Sequence, residues 1–142
     1  MTLFHYKGPK TNLNNFLFNN RDYYDIEIET IDKKIIMAHK LILASKIDYF
    51  NKLFKNEKKD KIHITTTYAS MNEIVRYIYC GEYNFNSIDD FMECLLFCDQ
   101  IVYTELFDNM LCSLDPELID KTKRIEIIKK LTNLKVSNKK KY

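Results

Sequence analysis

Within about thirty residues the hydrophobic period of this chain changes from that of a strand to that of a helix. Residues 24–30, YDIEIET, alternate strictly, with Ile26 and Ile28 on one side and Asp25, Glu27 and Glu29 on the other. Strict alternation is the pattern of a strand with one buried face. The Asp32-Lys33 corner then turns the chain back into KIIMA, which predicts a hairpin. Residues 37–54 follow as MAHKLILASKIDYFNKLF, where Leu43, Ile47, Phe50 and Phe54 fall on one helical stripe. Leu41, Ile42, Tyr49 and Leu53 widen that stripe, as in a helix buried on more than one side. A hairpin feeding such a helix predicts an α+β unit.

The flanking segments extend this order. Residues 2–6, TLFHY, read as a short strand broken by Gly8-Pro9, and Thr11 or Asn12 can cap a helix whose face carries Leu13, Phe16 and Leu17. After the charged loop KNEKKDK, residues 62–65 (IHIT) read as a brief strand with His63 on its outer face. Ser70 with Glu73 has the spacing of a capping box opening a helix that Gly81 closes. Ser87 with Asp90 repeats the opening signal, and Phe91, Leu95, Cys98 and Val102 mark the next stripe. ELFDNMLCSL reads as one more short helix. Asp115-Pro116 opens a thinner helical extension over residues 115–142, ending in a basic tail.

The chain has 142 residues and is 46% hydrophobic, enough for one domain with its own core. A net charge of +2 creates no large field toward nucleic acid or anionic lipid. Nineteen of the 22 basic residues are lysine, the bias of an AT-rich genome, viral or protist. Arginine, the preferred fork for phosphates and bases, is scarce, and the ten tyrosines lie in apolar periodic segments, so nucleic-acid binding is not expected. No stretch reaches the ~18 apolar residues of a membrane span, and the start lacks a signal peptide's pattern. The expectation is an intracellular protein, cytoplasmic or nuclear, with no membrane partner.

Two glycines exclude the phosphate-cradling loops of nucleotide enzymes. There is no GxSxG elbow and no HExxH pair. Cys80, Cys94, Cys98 and Cys112 sit in apolar periodic segments, which predicts reduced, packed thiols. Cys94 and Cys98 share a helix face, yet no Cys or His supplies zinc's remaining ligands, so no metal site is expected. Cys80 with His39 or His63 keeps a cysteine hydrolase as a remote alternative. No cofactor and no small-molecule substrate are expected.

The order hairpin, AHKLILAS followed by YFNKLF, short strand, capped helix ending YIYCGEY, and paired helices resembles the BTB/POZ family. The resemblance covers residues 13–114, with Cys80 standing where the family usually has threonine. It implies a small, mostly three-stranded sheet flanked by a cluster of helices: a domain over residues 1–114, with residues 115–142 as an extension resembling the start of a cullin-binding helix pair. It also implies a protein-interaction module rather than an enzyme. Dimerisation, with itself or with other BTB proteins, maps to Leu13, Phe16 and Leu17, to residues 2–6 as an exchanged strand, and to Asp25 and Lys40 as a charged pair at the interface. His39 becomes a packed or capping residue at the mouth of its helix.

Many BTB proteins recruit the cullin-3 ubiquitin-ligase scaffold, and the matching surface here is Tyr49, Phe50, Phe54 and Glu57. The adaptors' apolar residue two places before the glutamate stands as Lys55. No kelch, zinc-finger or MATH domain accompanies the unit, so the expected ligand binds the BTB surface itself, or the chain occupies another protein's dimer or cullin site, as a viral interference factor does. The alternative is a transcription-regulatory BTB protein or a single-domain adaptor like elongin C.

Overall fold

The computed structural model describes residues 4–7, 18 and 22–113. The predicted hairpin forms from β2 (Ile26–Glu29) and β3 (Ile35–Ala38), paired antiparallel with Ile28 opposite Ile36. Lys33 takes a positive φ of 64° at the turn, which the Thr30 and Lys34 backbones close. β4 (Lys61–His63) lies parallel to β2 on its other edge, giving the order β3-β2-β4. This is a small three-stranded sheet. Ile26, Ile28, Ile36, Ala38 and Ile62 point into the core, and the outer face carries Glu27, Glu29, Ile35, Met37, Lys61 and His63.

The long helical run after the hairpin is broken. α1 spans Lys40–Lys46 and α2 spans Asp48–Asn56, with Ile47 between them in extended backbone at φ −130° and ψ 116°. The Ile47 carbonyl accepts from the Phe50 and Asn51 N–H groups and so starts the second helix. The corner lets Leu43, Ile47 and Phe50 all reach the core, which one straight helix packed on a small sheet would not achieve. It also corrects an expectation: Leu41, placed on the widened buried stripe, is 81% exposed. Lys55 and Asn56, read as loop, complete the last turn of α2.

α3 (Tyr68–Cys80) is the central helix, with Met71, Ile74, Val75, Tyr77, Ile78 and Tyr79 buried along it. Its cap is not the expected one. Thr67 accepts the Ser70 N–H, Asp32 of the hairpin turn accepts the Tyr68 N–H, and Ser70 and Glu73 lie inside the helix as buried residues. Gly81 closes the helix in the left-handed conformation at φ 73°, as predicted. Beyond it the sequence reading missed β5 (Glu82–Phe85), whose Tyr83 and Phe85 alternate inward. β1 (Phe4–Lys7) pairs antiparallel with β5, Tyr6 opposite Tyr83, as a separate two-stranded ribbon.

α4 (Ile88–Gln100) is capped by Ser87 as expected, through the Asp89 and Asp90 N–H groups. α5 (Thr104–Cys112) packs back onto α4. Val102, assigned to the buried stripe of α4, instead sits at the corner between the two helices, 68% exposed and at φ 57°. A β-branched residue is strained there, because its Cβ crowds the carbonyl in left-handed backbone. Val102→Gly is therefore expected to raise stability by about 0.5–1 kcal/mol, read as a higher urea midpoint at unchanged slope. An unchanged or lower midpoint would contradict the strain.

Candidate interaction surface

The mouth of α1 is built from four segments. Asp25 opens β2, and its N–H donates to the Ala38 carbonyl at 3.1 Å. Its carboxylate accepts the Lys40 N–H at 2.7 Å, so Asp25 supplies the helix cap that the His39 side chain does not. The Asp25–Lys40 link expected as an ion pair thus runs through the Lys40 backbone. The Lys40 ammonium turns the other way, to Asp60 at 3.9 Å.

His39 is buried and fully occupied. Its Nε2 lies 3.0 Å from the Asp22 carbonyl, which can only accept, so Nε2 carries a proton. Its backbone N–H donates to the Tyr79 hydroxyl at 2.9 Å, and that hydroxyl sits 2.7 Å from Nδ1. Both ring nitrogens are spent on structure, which removes His39 as the base of a cysteine nucleophile. His63, on the outer sheet face as expected, is likewise engaged, its Nδ1 2.7 Å from Glu29. Burial pushes the Glu29 carboxyl up, but Lys61 and His63 beside it outweigh that and hold it low. Tyr79→Phe leaves the His39 N–H without its acceptor in the core, and is expected to cost about 2 kcal/mol by chemical denaturation. A cost near zero would mean that the network carries no stability.

Exposed apolar residues flank this mouth in the sequence. Residues 22–25 run beside residues 38–40, and Tyr23, Tyr24 and Leu41 expose their side chains there, Tyr23 to 87%. Leu13, Phe16 and Leu17 lie outside the described residues. Phe18, next to them in sequence, packs its ring on Tyr79 and under the Arg76 guanidinium. On α2 the predicted recognition residues separate. Tyr49 is 40% exposed and Glu57 is exposed, whereas Phe54 is partly buried and stacks on Phe50. Phe50 is fully buried, so it supports that surface from beneath and does not line it. The packing requirement of the corner at Ile47 turned it inward.

Cys80, Cys94 and Cys98 are buried as expected, and Cys112 is exposed, contrary to the reading of all four as packed. Burial raises the Cys94 thiol well above its usual range, the reverse of what a nucleophile needs. Among the described residues no group of three or more His, Cys, Asp and Glu is placed to hold a metal. No described helix is long and apolar enough to cross a membrane.

The BTB/POZ domain description matches residues 14–115. The chain belongs to the BTB/POZ family. It therefore carries a protein–protein interaction module, of a family whose members commonly pair with other BTB chains. Among solved structures it is similar to the BTB domain of human gigaxonin, with 21% identity and a TM-score of 0.60 over 75% of this chain and 97% of that one. It is also similar to the BTB domain of zebrafish PATZ1, with 16% identity and a TM-score of 0.59 over 70% of this chain and 82% of that one. No curated protein sequence matches it.

The BTB fold here has a buried carboxylate the sequence reading misassigned. Glu73 accepts the Asn84 N–H of β5 at 2.9 Å and the Asn72 amide at 3.2 Å, and forms an ion pair with the Arg76 guanidinium, Nε at 3.1 Å. It fastens the β1–β5 ribbon to α3. Burial raises its pKa despite the Arg76 charge. The folded state thus binds the proton more tightly than the unfolded chain, and the contribution of Glu73 grows as pH falls. As pH falls from 7 toward the ordinary carboxyl value of 4.5, the native chain is expected to gain stability relative to Glu73→Gln, measured by denaturation at each pH. A relative loss would mean that the Arg76 and Asn84 bonds outweigh burial.

Proposed function

We propose that this chain is a BTB interaction module that pairs with a second BTB chain, its own or another's, and acts on cullin-3 ubiquitin ligases as an adaptor or as a competitor for the adaptor site. The observation that supports pairing is the exposure of Tyr23, Tyr24 and Leu41, next in sequence to the Asp25–Lys40 contact. Exposed apolar side chains are better buried against a partner than left in water. Residues 2–6 and the segment bearing Leu13, Phe16 and Leu17 supply the rest of the pairing surface in this reading. The cullin-facing surface is Tyr49 and Glu57, with Phe54 at its edge and residues 115–142 extending it. The site of action is inside the cell, cytoplasmic or nuclear.

Sedimentation of the full chain, alone and mixed with purified cullin-3, tests both parts. A dimer that co-sediments with cullin-3 supports the proposal. A monomer overturns the pairing, and a dimer that ignores cullin-3 favours the second reading, a transcription-regulatory or elongin-C-like BTB module. Lys55 gives that second reading its footing: it places a charge two residues before Glu57, where cullin-3 adaptors carry an apolar side chain.

A further inference from the structure

We infer that the free edge of β4 takes up an extended peptide in which acidic and apolar residues alternate, adding one strand to the sheet. β4 (Lys61–His63) ends the order β3-β2-β4, so only one of its sides is paired. The ladder with β2 shows which groups are left. The Glu27 N–H donates to the Asp60 carbonyl at 2.8 Å, and the Ile64 N–H donates to the Glu29 carbonyl at 3.0 Å. In a parallel ladder alternate residues turn their backbone groups to the same neighbour, so Ile62 faces β2 while Lys61 and His63 face away. The backbone N–H and carbonyl groups of Lys61 and His63 form a row with no hydrogen-bond partner among the described residues. Such a row is a template for a further strand.

The side chains choose the guest. Across the outer face, β3, β2 and β4 carry Met37, Glu27 and Lys61 in one row and Ile35, Glu29 and His63 in the next. Acid lies opposite base in both rows, and the Glu29 carboxylate reaches the Lys61 ammonium at 3.4 Å and the His63 Nδ1 at 2.7 Å. On the far side of Lys61 and His63 no described strand supplies a second acid. The Lys61 ammonium has donors to spare there, and the His63 Nε2 has no partner among the described residues. Acids at the matching positions of a guest strand repeat the pattern that β2 sets, and the apolar residue between them lies beside Ile62, buried on the inner face. The approach favours the same charge: residues 55–61 hold four lysines against Glu57 and Asp60, which steers an acidic segment toward this edge. A lysine on an edge strand ordinarily repels a further strand. Here Glu29 offsets part of that charge, so the edge admits a strand and still prefers an acidic one. Lys61, Ile62 and His63 belong to neither the pairing nor the cullin-facing set, and the inference stands apart from both.

The test is titration of the isotope-labelled full chain with the peptide acetyl-Val-Glu-Val-Glu-Val-amide, followed by nuclear magnetic resonance. The Lys61 and His63 amide protons are expected to move downfield and to exchange more slowly with solvent, as bonded strand amides do. The Ile62 amide, already turned to β2, is expected to change little. The basic peptide acetyl-Val-Lys-Val-Lys-Val-amide is expected not to bind. Lys61→Glu, which replaces an attraction by a repulsion, is expected to weaken the acidic peptide by about tenfold. Circular dichroism checks that the variant remains folded, and the basic peptide reads the charge preference without any substitution. Lys61 and His63 amides that stay unmoved at millimolar acidic peptide would overturn the inference. So would equal binding of the two peptides, which would leave the row as an unselective edge.

Discussion

Leu41→Glu is expected to convert the paired protein into a monomer while leaving the folded unit intact. Leu41 is 81% exposed in the single chain, so a charge there costs the monomer almost nothing. In a pair that covers the Asp25–Lys40 contact and its neighbours, the same carboxylate would be buried without a partner. A buried unpaired charge costs about 3–5 kcal/mol, equivalent to more than about a hundredfold in the pairing constant. Sedimentation at micromolar concentration reads the change, and circular dichroism checks that the helices remain. If Leu41→Glu stays as associated as the native chain, the surface around α1 is not where the two copies meet.

The largest loss of stability is expected from Phe50→Ala, about 3–5 kcal/mol by denaturant unfolding. Phe50 is fully buried, with Tyr49 edge-on to its ring and Phe54 stacked on it, so truncation opens a cavity that its neighbours close only in part. Tyr49→Ala, one residue earlier and partly exposed, is expected to cost less than about 1 kcal/mol and to act on partner binding instead. A Phe50→Ala chain as stable as the native one would return that residue to the recognition surface.

Much of the fold was legible because it rests on local pattern. Alternation in YDIEIET placed Ile26 and Ile28 inside, Gly81 closed the central helix, and Ser87 opened the next. Element bounds were off by a residue or more: the first strand ends at Lys7 instead of residue 6, and the third strand of the sheet runs over Lys61–His63 instead of residues 62–65. β5 went unseen although EYNF alternates, because four residues after a helix stop carry too little periodicity to separate a strand from a turn. The helical extension lies outside the described residues.

The candidate surface was less legible, because it depends on which residues the core leaves over. Tyr49 and Phe50 are adjacent and chemically alike, and only the break at Ile47 decides that one faces water and the other the core. Ser70 and Glu73 match a capping box in spacing, yet the cap came from Thr67 and from Asp32 of the hairpin turn, 36 residues away.

The sequence by itself determined the family and the period of most elements, since both depend on residues close together in the chain. Only the tertiary structure decided that Asp25 caps α1 and that the Asp22 carbonyl sets the His39 tautomer. It alone bent residues 37–54 at Ile47 and brought Met110 against Cys94. Those contacts join segments 15 to 17 residues apart, and the helical corner is stable only because the core behind it has a shape to fill.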